Sequence, residues 1–128
     1  MDRFEDISHG LKAMLDKAEE MDWSFDVWIE GSRDSRTYAE LGKYSPAGED
    51  FSMIIDFDKD NQVESFLRNL RGYYEDFDVD DHAEMWLPSR GKGGCPSSIK
   101  ALVENAEAIE NMILELLDTL EEMEVDDD

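Results

Sequence analysis

Trp23-Ser24-Phe25-Asp26-Val27-Trp28-Ile29-Glu30 is where the apolar period of this chain changes, and the change decides its fold class. Trp23, Phe25, Val27 and Ile29 fall on one face of the run. Ser24, Asp26, Trp28 and Glu30 fall on the other, the alternation of a half-buried strand. Upstream the period is helical. Phe4, Ile7, Leu11, Met14, Ala18 and Met21 are spaced 3, 4, 3, 4 and 3 apart, which predicts an amphipathic helix over about residues 2–21. Gly10 costs that helix roughly 1 kcal/mol relative to alanine, which so regular a seam overrides. Downstream, Gly31 to Ser35 reads as a turn and Arg36 to Tyr44 as a second strand. Phe51, Met53, Ile55 and Phe57 alternate in a third. Strands joined by turns this short form an antiparallel meander.

The remainder is helical. Asn61-Gln62-Val63-Glu64 fits a capping box, with Val63, Phe66, Leu67, Leu70 and Tyr74 as the inner stripe behind it. Residues 77–87 predict a short helix capped by Asp80 or Asp81. Pro88, Gly91, Gly93 and Gly94 mark a flexible loop. A long helix follows from about Pro96 to Met123, capped by Ser97 or Ser98. Its seam is Leu102, Ala106, Ile109, Ile113, Leu116, Leu120 and Met123, with Ile99 one step before, a heptad row that needs a facing helix. The N-terminal seam matches it in length, so the economical arrangement pairs the two terminal helices within one chain. A homodimeric coiled coil is the rival. The expected fold is α+β: a three-stranded antiparallel sheet packed by helices, with the N- and C-terminal helices paired. One domain is expected over residues 1–123, with a disordered acidic tail over 124–128.

The 128 residues include 34 acids and 12 bases, for a formal net charge of −22. An apolar share of 41% still builds a core. No stretch near 20 apolar residues spans a membrane. The opening has no basic-then-apolar leader, and Cys95 is the only cysteine. Together these point to a cytoplasmic protein. Phosphates repel a surface this negative, which argues against direct nucleic-acid binding.

The acids cluster. Residues 101–128 hold Glu104, Glu107, Glu110, Glu115, Asp118, Glu121, Glu122, Glu124, Asp126, Asp127 and Asp128, and no base. Residues 72–87 hold Glu75, Asp76, Asp78, Asp80, Asp81 and Glu84, again with no base. A solvated helix face explains such runs, as does a high-salt habitat. An anionic surface built for a basic partner explains them too.

Catalytic and metal motifs are weak. Asp56-Phe57-Asp58-Lys59-Asp60-Asn61 opens like a calcium loop, but its sixth position is Asn61 instead of Gly and its twelfth is Leu67 instead of Glu. Asp78, Asp80, Asp81, His82 and Glu84 offer metal-donor atoms with no second histidine nearby, and His82 is a weak candidate for a general base. Cys95 precedes a helix without a base beside it. Gly91-Lys92-Gly93-Gly94 lacks the Walker spacing. Trp28, Tyr44 and Trp86 offer aromatic area to a partner or to a small core. We therefore expect no catalytic residue, no metal and no cofactor.

Three runs carry a resemblance: Tyr44-Ser-Pro-Ala-Gly-Glu-Asp-Phe51, Phe77-Asp-Val-Asp-Asp-His-Ala-Glu-Met-Trp86 and Gly94-Cys-Pro-Ser-Ser-Ile-Lys-Ala-Leu-Val-Glu-Asn-Ala-Glu-Ala-Ile109. Over residues 44–120 the chain resembles a group of small acidic bacterial proteins encoded near phage or conjugative-element genes. The resemblance implies a bacterial cytosolic protein from a mobile element, and no activity or site residue comes with it. The expectation is a non-enzymatic acidic binding protein, monomeric or homodimeric. In its sharpest form it mimics DNA and blocks a DNA-binding defence enzyme, as antirestriction and anti-CRISPR proteins do. Its partner surface would be Asp78, Asp80, Asp81, Glu84, Glu104, Glu107, Glu110 and Glu115. The alternative is a helical assembly module that docks through the C-terminal seam, its acidity serving solubility only.

Overall fold

The computed structural model describes residues 2–31 and 36–123. The predicted tail over 124–128 and most of the predicted turn at 31–35 lie outside the described residues.

The switch of period at Trp23 is the boundary between helix α1 (His9–Glu20) and strand β2 (Ser24–Glu30). Strands β3 (Arg36–Tyr44) and β4 (Asp50–Phe57) follow, each antiparallel to its predecessor, with Val27 opposite Ala39 and Ala39 opposite Ile55. Those residues sit on the face that the helices cover. Phe51, Met53, Ile55 and Phe57 are buried there, with Ala39, Leu41 and Trp23. The other face is open. It carries Asp26 beside Glu40, and Trp28 stacked on Tyr38 with ring centroids 5.7 Å apart.

Two expectations at the N-terminus need correction. The first helix begins at His9, not near residue 2, and the sheet has a fourth short member. Strand β1 (Asp2–Arg3) pairs with Ile29 and Trp28 at the β2 edge. The buried Gln62 side chain explains the extended segment between them: its Oε1 accepts from Ser8 N at 2.8 Å, and its Nε2 donates to Asp6 O at 2.9 Å. Ser8 then caps α1, its Oγ accepting from Leu11 N. Phe4 still reaches the core, edge-on to Phe57.

Helix α2 (Gln62–Asp76) buries Val63, Phe66 and Leu70 as its stripe predicts, but the capping box is not formed: the Asn61 side chain makes no cap hydrogen bond. Ser65 closes the turn instead. Its Oγ donates to Asn61 O at 2.6 Å and accepts from Asp58 N at 2.7 Å. Helix α3 (Val79–Trp86) is capped by Asp78, whose Oδ1 accepts from Asp81 N at 3.1 Å; the predicted caps Asp80 and Asp81 fall in its first turn.

Helix α4 (Ile99–Glu122) starts at the Ser98 cap, leaving Pro96 outside. Its seam from Leu102 to Leu120 is buried within the chain, whereas Ile99 is 58% exposed. The two terminal helices touch only briefly, and α4 lies mainly along α3 and α2. The core accordingly has two parts. The main one gathers α1, α2, the sheet and the C-terminal two thirds of α4, while a smaller one joins Ala83, Cys95, Leu102 and Ala106 beneath α3.

Candidate functional site

Two features meet at α3: a buried polar junction that holds the helix, and an acidic surface that the helix presents. The junction begins in the β3–β4 loop, where Gly48 adopts φ +95°, a left-handed conformation that glycine takes without strain. The loop closes through Ser45 N donating to Glu49 O and Gly48 N donating to Ser45 O, both at 2.8 Å. Ser45 Oγ bonds to Asn105 Oδ1 of α4 at 2.5 Å. Asn105 Nδ2 donates to Glu49 Oε1 at 2.8 Å. Glu49 Oε2 lies 2.8 Å from His82 Nε2 of α3, and because a carboxylate only accepts, Nε2 carries the proton. The His82 ring packs against Phe51 and Phe77.

The junction therefore ties one loop to two helices. Nε2 of His82 is committed to Glu49, and Ser45 Oγ bonds to Asn105 with no bond to the imidazole, so serine and histidine do not form a nucleophile–base pair. The sequence grouped His82 with Asp78, Asp80, Asp81 and Glu84 of its own segment, whereas its partner in the structure is Glu49. No local spacing marks these contacts, because the junction joins residues 33, 56 and 60 positions apart.

On the outer side of α3, Asp80, Asp81 and Glu84 are exposed, as is the cap Asp78. On α4, Glu104, Glu107 and Glu115 are exposed and Glu110 is half-buried. Packing of Ala83 against Leu102 and Ala106 brings α3 alongside the first turns of α4, so Asp78–Glu84 and Glu104–Glu110 belong to one neighbourhood. Glu115 does not join them: it lies eight residues beyond Glu107, about 12 Å along the helix. Among the described residues, none of these eight carboxylates forms an ion pair. The ion pairs formed by lysine and arginine lie elsewhere: Lys12–Asp16, Lys17–Glu20, Arg36–Asp56, Arg68–Asp58 and Arg71–Glu121. Two of them engage Asp56 and Asp58, two of the three carboxylates of the calcium-like run. Among the described residues, no set of three or more His, Cys, Asp or Glu side chains converges for a metal ion.

No protein-family model, curated protein or solved structure matches the chain.

The other singled-out residues have local roles. Cys95 is buried in the smaller core, its Sγ against Trp86 O and Pro96 O. The glycine loop folds on itself, Gly91 N donating to Pro96 O and Cys95 N to Lys92 O. Trp28 is covered by Tyr38 and Trp86 is half-buried, while Tyr44 is 68% exposed. Two hollows flank α3. One, of about 320 Å³, is lined by Tyr73, Phe77, His82 and Met85 with Asp76, Asp78 and Asp81 at its sides. The other, of about 240 Å³, lies between α3 and α4.

Proposed function

We propose that this is a non-enzymatic acidic binding protein whose α3–α4 surface occupies the basic groove of a DNA-binding enzyme. The observation that carries the reading is the freedom of those carboxylates: among the described residues they have no cationic partner, while acids elsewhere do. Their density supports it. Asp78, Asp80, Asp81 and Glu84 span six residue steps, about 9 Å of helix axis. That is a mean spacing of about 3 Å, close to the ~3.4 Å between phosphates along one DNA strand. The resemblance to mobile-element proteins makes a defence nuclease the partner of choice, and a net charge of −22 steers such an encounter strongly. The assembly-module reading loses support, because the α4 seam it would use is buried inside the chain.

The test is DNA cleavage by a panel of bacterial restriction nucleases with the protein added. Inhibition is expected at about 50 mM salt and should weaken at least about tenfold by roughly 300 mM. A variant carrying Asp80→Asn, Asp81→Asn, Glu84→Gln and Glu107→Gln should lose it. A control carrying Glu19→Gln, Asp26→Asn, Glu40→Gln and Asp50→Asn removes the same charge from other faces and should keep it. Equal losses from the two variants would reduce the effect to bulk charge and end the epitope reading.

A further inference from the structure

The hollow between α3 and α4 is apolar inside and acidic at its lip. Ala83, Leu102 and Val103 form its floor, and Leu87 and Ile99 its walls. Both walls stay open to solvent, Leu87 at 39% and Ile99 at 58%, although Ile99 continues a seam that is otherwise buried. The cause is length. Helix α3 has 8 residues, about 12 Å, against 24 residues in α4, and it gives way to a 3₁₀ turn at Leu87–Ser89. Helix α3 therefore covers Leu102 but leaves Ile99, one turn earlier, open to solvent. Asp80 and Glu84 stand at the lip, and Glu107 lies one turn beyond Val103 on α4.

We infer that this groove receives an apolar or aromatic side chain that the basic partner carries between lysines or arginines. The inference rests on the reading of an acidic protein for a basic partner, and adds what grips once charge has steered. The charge selects the occupant. A second copy would bring another −22 and set Asp80 and Glu84 against carboxylates. An anionic membrane surface is repelled in the same way. At about 240 Å³ the groove lies below the ~300 Å³ where small-molecule pockets begin, which suits one or two side chains. An anchor seated in an apolar pocket inside a polar rim is the usual layout of an interface hot spot.

The experiment uses the whole protein, labelled with ¹⁵N, and two synthetic helical peptides of equal lysine content. One carries leucines between its lysines, the other alanines. The leucine peptide should bind about tenfold tighter or more, and keep measurable affinity at about 300 mM salt. It should shift the amides of Ala83, Leu102 and Val103. The double variant Leu87→Ser, Ile99→Ser changes only solvent-exposed walls. It should erase the difference between the peptides and leave alanine-peptide binding as it was. Equal binding of both peptides, or a difference that survives in the double variant, overturns the groove and leaves the charge reading standing. Failure of both peptides to bind at about 50 mM salt overturns the groove and the charge reading together.

Discussion

Asn105 ties α4 to the β3–β4 loop whose Glu49 in turn holds His82 of α3. Its amide is 4% exposed and has a partner on each side, accepting from Ser45 and donating to Glu49. Replacement by leucine keeps the branched shape at a larger volume, leaves the Ser45 hydroxyl proton without its acceptor and removes one of the donors to Glu49 Oε1. Asn105→Leu should therefore cost about 2–3 kcal/mol, read as a lower urea midpoint. Asn111→Leu on the exposed side of the same helix should stay within about 0.5 kcal/mol. Similar effects at the two positions would show that the junction contributes nothing beyond helix propensity. Tyr73 makes a second residue-scale case. Burial raises its phenol pKa above the ordinary value of 10.0. The folded state thus holds the proton more tightly than the unfolded chain. The stability this protects is complete below about pH 10 and is lost as pH climbs through the folded value. Tyr73→Phe should flatten the alkaline loss of stability, measured as urea midpoints from pH 8 to pH 11. An unchanged slope would assign that loss to other groups.

At the scale of elements, legibility followed length and period. β2, β3, β4, α2 and α4 each carry enough alternating or stripe positions to be read directly, and their registers follow from which face is apolar. β1 has two residues, too few for any period. Phe4 and Ile7 pack against the core from an extended segment as well as they would from a helix, so the seam could not tell the two apart. The capping box failed for a related reason. Asn61 and Glu64 have the right types, but the Asn61 N–H that Glu64 would accept from donates to Asp58 O instead, in a turn that Ser65 holds through Asn61 O and Asp58 N. The acidic residues of α3 were legible because they are contiguous. The junction beneath them was not, since its bonds join residues 33, 56 and 60 positions apart and a single sequence carries no sign of such pairings. Their consequence is mechanical. A helix of 8 residues is marginal alone, so α3 holds its carboxylates in place only because His82 and Ala83 anchor it.

For the whole molecule, charge sets fold and binding against each other. A net −22 repels itself, and carboxylates one helical turn apart sit about 5–6 Å from one another. Among the described residues the lysine and arginine ion pairs lie on solvent-accessible side chains, where water screens them too strongly to offset the excess. Raising sodium chloride from about 0.1 M to about 1 M shortens the screening length from roughly 10 Å to roughly 3 Å, below that spacing. The urea midpoint should therefore rise with salt, and a fall would mean that the ion pairs outweigh the repulsion. Binding to a basic partner should move the opposite way, since the same screening removes the steering. The opposition makes the salt experiment decisive. A protein that grows more stable while its inhibition fades has not lost activity by unfolding, so the loss can be assigned to the charged interface itself.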